Sequence, residues 1–454
     1  MSPPRTSVRN GPRGAKGWPS RADAKTMRAA LAAVLAAGAC ILVAAPVASA
    51  HAVSPKSSVA FRDSVGVATH VGYTDTAYAN WPLLVARLDE LGVRHLRDGA
   101  YGDPSARARD YNAYIYKAVD LAAARGMRFN FLMGGTRSET GTLEQLLDAV
   151  AGPLRHATEA LEAPNELDKY AGGAWASRLA TYSRDLYTKA KARPGLRSLP
   201  IIAPSLANSG AERRLGDQHK WLDLGNVHPY TGGRSPDPAH LRTELADASV
   251  VSGSKPVWAT EAGFHNALRH TTDGQAPVSE HAGAVYLLRT FLEHFRSGIR
   301  RTYAYELVDE KREARGRDPE QHFGLLRNDY TRKPAFKALR NMLSLVGRSD
   351  QRPRLRPLRL VVSGRDDGVR RLVLQKADGS YLVALWSTAS VWDPDRRGPL
   401  AVPQRTLTVK LPGAARVELA DPVASASTRR LRMRRHQVRV ALGGRPLVLH
   451  VTPR

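Results

Sequence analysis

The chain has 454 residues, of which 43% are hydrophobic and 24% are charged, and this composition excludes an intrinsically disordered chain because it supplies enough apolar side chains for packed cores. Its single cysteine, Cys40, excludes a disulfide-stabilised scaffold. The formal net charge is +26, so an anionic partner has to be considered.

The first fifty residues have the pattern of a secretory leader. Three basic residues within 21–28 precede an apolar run at 29–45, and the small residues 48–50 offer the A-x-A pattern of a cleavage site. The run is short, rich in alanine and followed by no stop-transfer pattern, which favours a cleaved signal peptide over a transmembrane anchor. We expect a secreted, extracellular protein with its signal peptide and leader at 1–50, cleavage near Ala50 and no membrane span in the mature chain. Translation starts at Met1 and at Met27 are both consistent with this leader.

From residue 64 onward, short β-like runs alternate with amphipathic helical runs. In the first helical run, Leu84, Leu88 and Leu91 recur on one face. Strands that alternate with helices pair in parallel through crossovers, and eight such strands close a barrel. We therefore predict an α/β fold, a (β/α)8 TIM barrel over residues 59–346. The predicted strands are 64–70, 93–97, 128–133, 160–164, 201–204, 225–228, 257–261 and 301–306, and the predicted helices are 81–91, 111–125, 142–150, 174–192, 238–249, 282–297 and 334–345.

After residue 346 the pattern changes to short alternating runs without helices. A polar linker at 347–356 precedes them, and Asp378 with Gly379 is a hairpin turn signal between two of them. This pattern predicts a β-sandwich over residues 357–454. Its predicted strands are 358–362, 371–375, 381–386, 406–411, 416–419, 437–441 and 446–451.

The positive charge is concentrated towards the two ends of the chain. Residues 351–454 hold 21 basic and seven acidic residues, a net +14, whereas residues 1–50 carry +6 and the rest of the chain only +6. A basic domain on an exported protein predicts binding of an anionic cell-envelope polymer through residues 357–454, and export argues against nucleic acid as the polyanion. A compositional origin of the charge stays open, because arginine far exceeds lysine and alanine is abundant. The basic run at 429–435 alternates as an edge strand does, where charge prevents unwanted strand pairing.

Polar residues follow most of the predicted barrel strands at their carboxyl ends, where a barrel builds its active site. The strands themselves are mostly apolar, so this convergence exceeds what a purely structural barrel needs. The residues are His70 after the first strand, Arg97 after the second, Asn165 and Glu166 after the fourth, His228 and Tyr230 after the sixth, Glu261 at the end of the seventh, and Tyr305 with Glu306 at the end of the eighth.

Two carboxyl groups that face each other across such a mouth can cleave a glycosidic bond. One donates a proton to the leaving oxygen, and the other attacks the anomeric carbon or activates water. Strands four and seven lie on opposite sides of an eight-stranded ring, so Glu166 and Glu261 are the predicted catalytic pair. A separation of roughly 5 Å between the carboxyl groups predicts retention of configuration, and roughly 6.5–9.5 Å predicts inversion. Repulsion between the two charges is expected to raise the pKa of one of them.

Several segments resemble clan A glycoside hydrolases, which include the cellulase-like family 5 and family 39. The resemblance covers roughly residues 60–345 and is carried by ALEAPNELD around Glu166, PVWATEAGF around Glu261, the opening VATHVGYTDTAYANW, RDG at 97–99 and FGLLRNDYTRKPAFKAL. It implies a retaining reaction with Glu166 as general acid/base and Glu261 as nucleophile. It also implies that Asn165 binds the sugar hydroxyl next to the anomeric centre, that Tyr230 hydrogen-bonds Glu261 and that Arg97 holds the charge of Glu261.

The end of strand eight departs from the clan pattern. Many members have a tryptophan there that forms the floor of the central subsite, whereas this chain has TYAYELVDE, with Tyr305 and Glu306. We expect both residues, with His70 and His228, to bind substrate. Neither H-x-H nor H-E-x-x-H spacing occurs, so we expect no metal and no cofactor. The identity of the sugar stays open.

Two classes of function are compatible with this pattern. The first is a secreted retaining glycoside hydrolase that cleaves O-glycosidic bonds of an extracellular polysaccharide or oligosaccharide by double displacement. The second is a non-catalytic glycan- or cell-wall-binding protein on an inactive barrel. The intact pair of Glu166 and Glu261 favours the enzyme. A third glutamate nearby, Glu162, is predicted to be a buried structural acid paired with an arginine.

Overall fold

The structure is a computed structural model that describes residues 51–105, 108–134, 141–170, 172–271 and 274–454. The predicted signal peptide at 1–50, with Cys40, lies outside the described residues. The described chain opens with two short strands, β1 (His51–Val53) and β2 (Lys56–Ser57), and helix α1 (Ser58–Asp63). No element is predicted for this opening segment from the sequence.

Eight parallel strands form one sheet in the order β7-β6-β5-β4-β3-β10-β9-β8. A bridge between Ile202 and Leu224 joins the two ends of that order, so the sheet closes into a barrel. Parallel neighbours require crossover connections, and the predicted (β/α)8 TIM barrel is confirmed. The strands are β3 (Val65–Ala68), β4 (His95–Gly99), β5 (Arg128–Leu132), β6 (Thr158–Glu162), β7 (Ile201–Ile202), β8 (Gly225–Val227), β9 (Val257–Ala262) and β10 (Arg301–Ala304).

The helices around the barrel start and stop at recognisable signals. In the first of them, Pro82 stands in the first turn and Gly92 ends the helix in the left-handed region, with a φ of 86°. The helix that begins at Leu143 has a capping box, in which Thr142 and Gln145 bond each other's backbone. The helices are α2 (Trp81–Leu91), α3 (Arg109–Ala123), α4 (Leu143–Ala151), α5 (Leu167–Tyr170), α6 (Trp175–Ala192), α7 (Ala211–Leu215), α8 (Pro238–Ser252), α9 (Glu280–Ser297) and α10 (Pro334–Val346).

The C-terminal residues form the predicted β-sandwich. One sheet has four strands in the order β1-β11-β16-β19, and the other has six in the order β18-β17-β20-β13-β12-β2. The N-terminal strands β1 and β2 therefore occupy one edge of each sheet. The other strands of these two sheets are β11 (Leu358–Gly364), β12 (Val369–Gln375), β13 (Tyr381–Ser387), β16 (Arg405–Lys410), β17 (Ala414–Ala420), β18 (Arg429–Arg430), β19 (Gln437–Leu442) and β20 (Leu447–Pro453). The short strands β14 (Trp392–Asp393) and β15 (Gly398–Pro399) pair with each other in a separate two-stranded sheet.

Strand β13 shows how the sandwich joins the barrel, because it is buried on both faces. Successive side chains of a strand point to opposite faces. Here Val383 and Leu385 pack in the core between the two sandwich sheets, whereas Leu382, Ala384 and Trp386 pack in the hydrophobic core of the barrel. The six-stranded sheet is thus a middle layer that lies between two cores.

Helix α9 is the barrel helix that contacts the sandwich. Its residues 282–295 are buried on every face of the helix. Arg289 of this helix donates to the backbone carbonyls of Ala389 and Gly444 at 2.8 and 2.5 Å. The Trp392 indole donates to the carbonyl of Pro277 at 3.0 Å. No helix within the described ranges is long and apolar enough to cross a membrane.

Candidate active site

The carboxyl ends of the barrel strands bring six of the predicted residues into one hydrogen-bonded network. Glu162 ends β6, and the chain beyond it stays extended, with Asn165 bridging Ser205 beside β7. Glu261 is the last but one residue of β9. The six residues are Arg97, Asn165, Glu166, His228, Tyr230 and Glu261.

Arg97 is the cation at the centre of this network and is only 6% exposed. Its Nε and Nη2 donate to the two oxygens of Glu162 at 2.9 and 2.8 Å, and Nη2 also donates to Asn165 Oδ1 at 2.7 Å. Its Nη1 donates to Glu261 Oε1 at 2.6 Å. Burial alone would lower the pKa of Arg97, but the charges of Glu162 and Glu261 raise it above its usual value. Arg97 therefore stays charged and fixes the carboxylate of Glu261.

Glu162 is fully buried and paired with Arg97, as predicted. It also accepts hydrogen bonds from Asn130, Asn226 and Thr260. Burial raises the pKa of this carboxyl, but Arg97 outweighs burial and the net shift is downward. These three partners are absent from the predicted site. The signal that could have found them is a polar residue inside an otherwise apolar strand, such as the asparagine of RFNFL in β5.

Glu166 and His228 form a carboxylate–imidazole pair. Nδ1 of His228 lies 2.9 Å from Glu166 Oε1, and Nε2 lies 2.9 Å from Thr260 Oγ1. The Thr260 hydroxyl is 2.9 Å from both Glu162 Oε1 and Asn226 Oδ1, two oxygens that only accept, so it donates its single proton to one of them and is left to accept from Nε2. Both ring nitrogens then carry protons, so this geometry fits a positively charged His228.

The pKa shifts of the pair agree with that geometry. Burial raises the pKa of Glu166, yet the hydrogen bond and charge of His228 lower it to about 2. Burial lowers the pKa of His228, but the charges of Glu261 and Glu166 raise it above its ordinary value. The sequence predicts that repulsion raises the pKa of one catalytic glutamate. For Glu166 the opposite holds, because an imidazolium stands next to it.

Glu261 is held from two sides and is 8% exposed. Arg97 bonds one oxygen, and the Tyr230 hydroxyl donates to the other at 2.8 Å. Burial and the charge of Glu261 raise the pKa of Tyr230 well above its usual value, so the phenol keeps the proton that it donates. One oxygen of Glu166, one of Glu261 and one ring nitrogen of His228 all lie within 4.8 Å of one another. The carboxyl group of Glu261, fixed by Arg97 and Tyr230, thus faces the carboxyl group of Glu166, which shares a proton with the imidazole of His228.

The backbone of Glu166 adopts an uncommon conformation, with a φ of 46° in the left-handed region. This costs a residue with a side chain about 1 kcal/mol or more. Such strain clusters at functional sites, where the surrounding structure holds it in place. Here the carboxylate is held by His228 and lies 3.5 Å from the ammonium of Lys169, a partner not predicted from the sequence.

His70, Tyr305 and Glu306 form a second cluster, where the neighbouring strands β3 and β10 end. Glu306 is fully buried, accepts from the Tyr78 hydroxyl at 2.9 Å and lies 3.4 Å from His70 Nε2. Burial raises the pKa of Glu306 well above its usual value. Glu306 is fully buried and His70 is the partly exposed member of the pair, so the substrate-binding role of Glu306 stays a prediction. Tyr305 lies beside them, with its ring centroid 5.7 Å from that of His70.

Among the described residues, two groups have ligand atoms close enough together to hold a metal ion. The expectation that the protein holds no metal rests on the spacing of histidines in the sequence and stays a prediction for both groups. The groups are Glu166 with His228 and Glu261, and His70 with Glu306 and Glu310.

The likeness to known proteins is one of structure. No family model matches the chain, and no curated protein matches it. The chain is similar to a family 39 glycoside hydrolase from the gut symbiont Bacteroides cellulosilyticus WH2, with 16% identity and a TM-score of 0.61 over 88% of this chain and 83% of that chain. It is also similar to a GH30 endoxylanase from Clostridium papyrosolvens C71, with 10% identity and a TM-score of 0.50 over 89% of this chain and 98% of that chain. At these identities the likeness shows the fold, and the chain therefore shares the fold of known glycoside hydrolases.

Proposed function

We propose that the protein is a secreted retaining glycoside hydrolase that cleaves O-glycosidic bonds of an extracellular polysaccharide or oligosaccharide. The observation that carries this proposal is the placement of Glu166 and Glu261, with one oxygen of each within 4.8 Å of the other. Carboxyl groups about 5 Å apart suit a retaining enzyme, whereas an inverting enzyme needs roughly 6.5 Å or more to admit a water molecule. The shared fold supports the same class of reaction.

In the first step, an oxygen of Glu261 attacks the anomeric carbon while the bond from that carbon to the leaving oxygen breaks. Before the attack, Arg97 and Tyr230 orient the carboxyl group of Glu261 through hydrogen bonds to its two oxygens. The leaving oxygen takes the proton that Glu166 and His228 share, through the carboxyl of Glu166. The step forms a glycosyl ester on Glu261 and leaves the Glu166–His228 pair one proton short.

In the second step, Glu166 removes a proton from water and the resulting hydroxide attacks the anomeric carbon. The ester bond breaks, Glu261 recovers its charge, and the sugar leaves with its original configuration. The proton taken from water restores the pair. His228 thus acts as a store for the proton that Glu166 delivers and recovers.

The first test is the variant Glu261→Gln, which removes the nucleophile and keeps the size of the side chain. We expect kcat on an aryl glycoside to fall by several orders of magnitude while the folded state persists, as judged by circular dichroism. Glu144→Gln is the matched control, because Glu144 is exposed on α4 and its ion pairs are with Lys189 and Arg193, outside the candidate site. Unimpaired cleavage by Glu261→Gln would remove this mechanism from consideration.

A second measurement separates the enzyme from the alternative, a glycan-binding protein on an inactive barrel. We expect a 2-deoxy-2-fluoro glycoside with a good leaving group to label the wild-type protein covalently on Glu261, as read by peptide mass spectrometry. A binder would retain glycan and form no adduct, and that result would replace the proposal with the alternative.

Export and a polymer partner belong to the same proposal. The leader pattern of residues 1–50 supports export with cleavage near Ala50. N-terminal sequencing of the secreted protein tests this. Residues 351–454 carry a net charge of +14, which supports binding of an anionic cell-envelope polymer through the sandwich. Binding of the whole protein to isolated envelopes should then weaken steeply with salt.

A further inference from the structure

Residues 429–439 form a segment that we name the arginine hairpin. It links β18, at the edge of the six-stranded sheet, to β19, at the edge of the four-stranded sheet. In the described part of the chain, no acidic side chain forms an ion pair with its arginines, and the two acids nearest in sequence, Glu418 and Asp421, pair with Arg416 and Arg445 instead. The arginines of the hairpin are all exposed and are Arg429, Arg430, Arg432, Arg434, Arg435 and Arg439.

The hairpin presents its arginines from a fixed backbone. Leu431 is buried in the sandwich core, and Met433 packs against the same core. The arginines at 430, 432 and 434 alternate with these two anchors and point outward. Alternate residues of an extended chain are about 6.5 Å apart. The result is a row of guanidinium groups, which matches a linear polyanion better than a single bound ion.

The backbone of the turn at the tip of the hairpin is strained. A segment that only kept the protein soluble would not need this strain. Arg434 and Gln437 exchange backbone hydrogen bonds of 2.9 and 2.8 Å, so the turn consists only of Arg435 and His436. Both have left-handed backbones, with φ of 49° and 61°. Turns of this kind favour asparagine followed by glycine, and other residues there cost about 1 kcal/mol or more each. A strained, charged residue at an exposed tip points to a binding role.

The surroundings of the hairpin narrow the kind of partner. Residues 414–445 contain no Phe, Tyr or Trp, and none of the large exposed apolar side chains lies in that range. The surface therefore lacks the large aromatic platforms on which single-stranded nucleic acid usually stacks, and it lacks apolar anchors for a bilayer. This range contains arginines and no lysine. The planar guanidinium group of arginine can bind a carboxylate through two parallel hydrogen bonds.

We propose that the arginine hairpin binds a linear acidic polysaccharide through its carboxylates. The inference rests on the proposed role of the sandwich in binding an anionic polymer, and it assigns that role to one surface. Because binding is measured without turnover, its outcome does not depend on whether the barrel is a hydrolase.

The test uses the whole secreted protein and fluorescein-labelled polygalacturonate, with binding followed by anisotropy at several salt concentrations. The variant carries Arg432→Ser, Arg434→Ser and Arg435→Asn, since asparagine tolerates the left-handed turn. The matched control, Arg352→Ser with Arg354→Ser and Arg356→Ser, removes three exposed charges from the linker. We expect the hairpin variant to bind at least tenfold more weakly and with a shallower salt dependence. The linker variant should change less than threefold.

Three results would overturn the proposal. The first is an equal loss of binding in the hairpin and linker variants, which would indicate diffuse charge. The second is unchanged binding together with self-association of the hairpin variant in sedimentation velocity. That result would indicate that the arginines prevent strand pairing between molecules at the sheet edge. The third is hairpin-dependent binding of duplex DNA or of phosphatidylglycerol vesicles at least as tight as that of polygalacturonate.

Discussion

A single histidine sets the charge state of the candidate active site. His228 lies 2.9 Å from Glu166 and 3.6 Å from Glu261, the two predicted catalytic residues. Its raised pKa means that its charged form stabilises the fold fully below the unfolded value of 6.5, and that this contribution is lost as the pH rises through the folded value. The lowered pKa of Glu166 affects stability at acid pH. The contribution of its ionised form to stability is complete above pH 4.5 and is lost as the pH falls towards 2.

Replacing His228 should change the pH dependence of catalysis. In the wild type the proton is held by an imidazole with a raised pKa, so kcat/KM should fall only above pH 6.5. In His228→Gln a carboxyl must hold the proton, so the basic limb should move to lower pH. Aryl glycoside kinetics between pH 4 and 9 measure this, with His156→Gln as an exposed histidine control. A basic limb that stays in place would exclude His228 as the proton store.

At the scale of elements, the short strand β2 ties the start of the described chain to the end of a barrel helix. Lys56 Nζ donates to the backbone carbonyls of Phe295 and Arg296, in the last turn of α9, at 2.6 and 3.2 Å. Carbonyls in the last turn of a helix lack the usual partner four residues further on, and the Phe295 carbonyl otherwise accepts only a 3.3 Å bond from the backbone of Gly298. A cation at a helix C-terminus also interacts favourably with the helix dipole. The strand thereby stabilises an element almost 240 residues away.

We expect Lys56→Gln to lower the free energy of unfolding by about 1 kcal/mol, because both the charge and one hydrogen bond to the helix end are lost. Urea denaturation followed by tryptophan fluorescence measures it. Lys337→Gln, at an exposed position of α10, is the control and should change stability by less than about 0.5 kcal/mol. Equal effects of the two variants would contradict a specific role for Lys56.

At the scale of the whole molecule, the barrel and the sandwich form one compact unit over residues 49–454. The contact between the two parts is packed like a protein core, because strand β13 and helix α9 each bury side chains against both the barrel and the sandwich. Arg289 is one of the polar elements of this contact, with a side chain only 1% exposed. Burial lowers the pKa of Arg289 to about 10, so it remains charged at neutral pH.

We expect the wild-type protein to unfold in a single calorimetric transition, because neither part can expose this contact without a large loss of apolar burial. Arg289→Leu leaves the carbonyls of Ala389 and Gly444 without their donor, which should cost about 3 kcal/mol and separate the transition into two. Arg184→Leu on α6 removes an exposed charge that pairs with the neighbouring Asp185 and should leave one transition. Two transitions in the wild type would refute the coupling.

Local patterns were sufficient to predict the architecture. Strand-like and helix-like patterns alternate along the sequence with a period of roughly 30 residues, and eight such repeats close a barrel. Once the strands are parallel, their carboxyl ends must share one mouth. The convergence of Arg97, Asn165, Glu166, Tyr230 and Glu261 follows from strand positions alone, although the strength of each contact does not.

Tertiary structure decided what depends on groups distant in the sequence. The pairing of β1 with β11 and of β2 with β12 joins residues about 300 apart, and no local signal marks it. The same holds for the low pKa of Glu166, which follows from His228, 62 residues away. Burial of Glu306 behind His70 could not be read from either residue. The sequence by itself determined which side chains reach the barrel mouth, and the fold decided their charges, because the pKa of a buried group depends on every neighbour that packing brings to it.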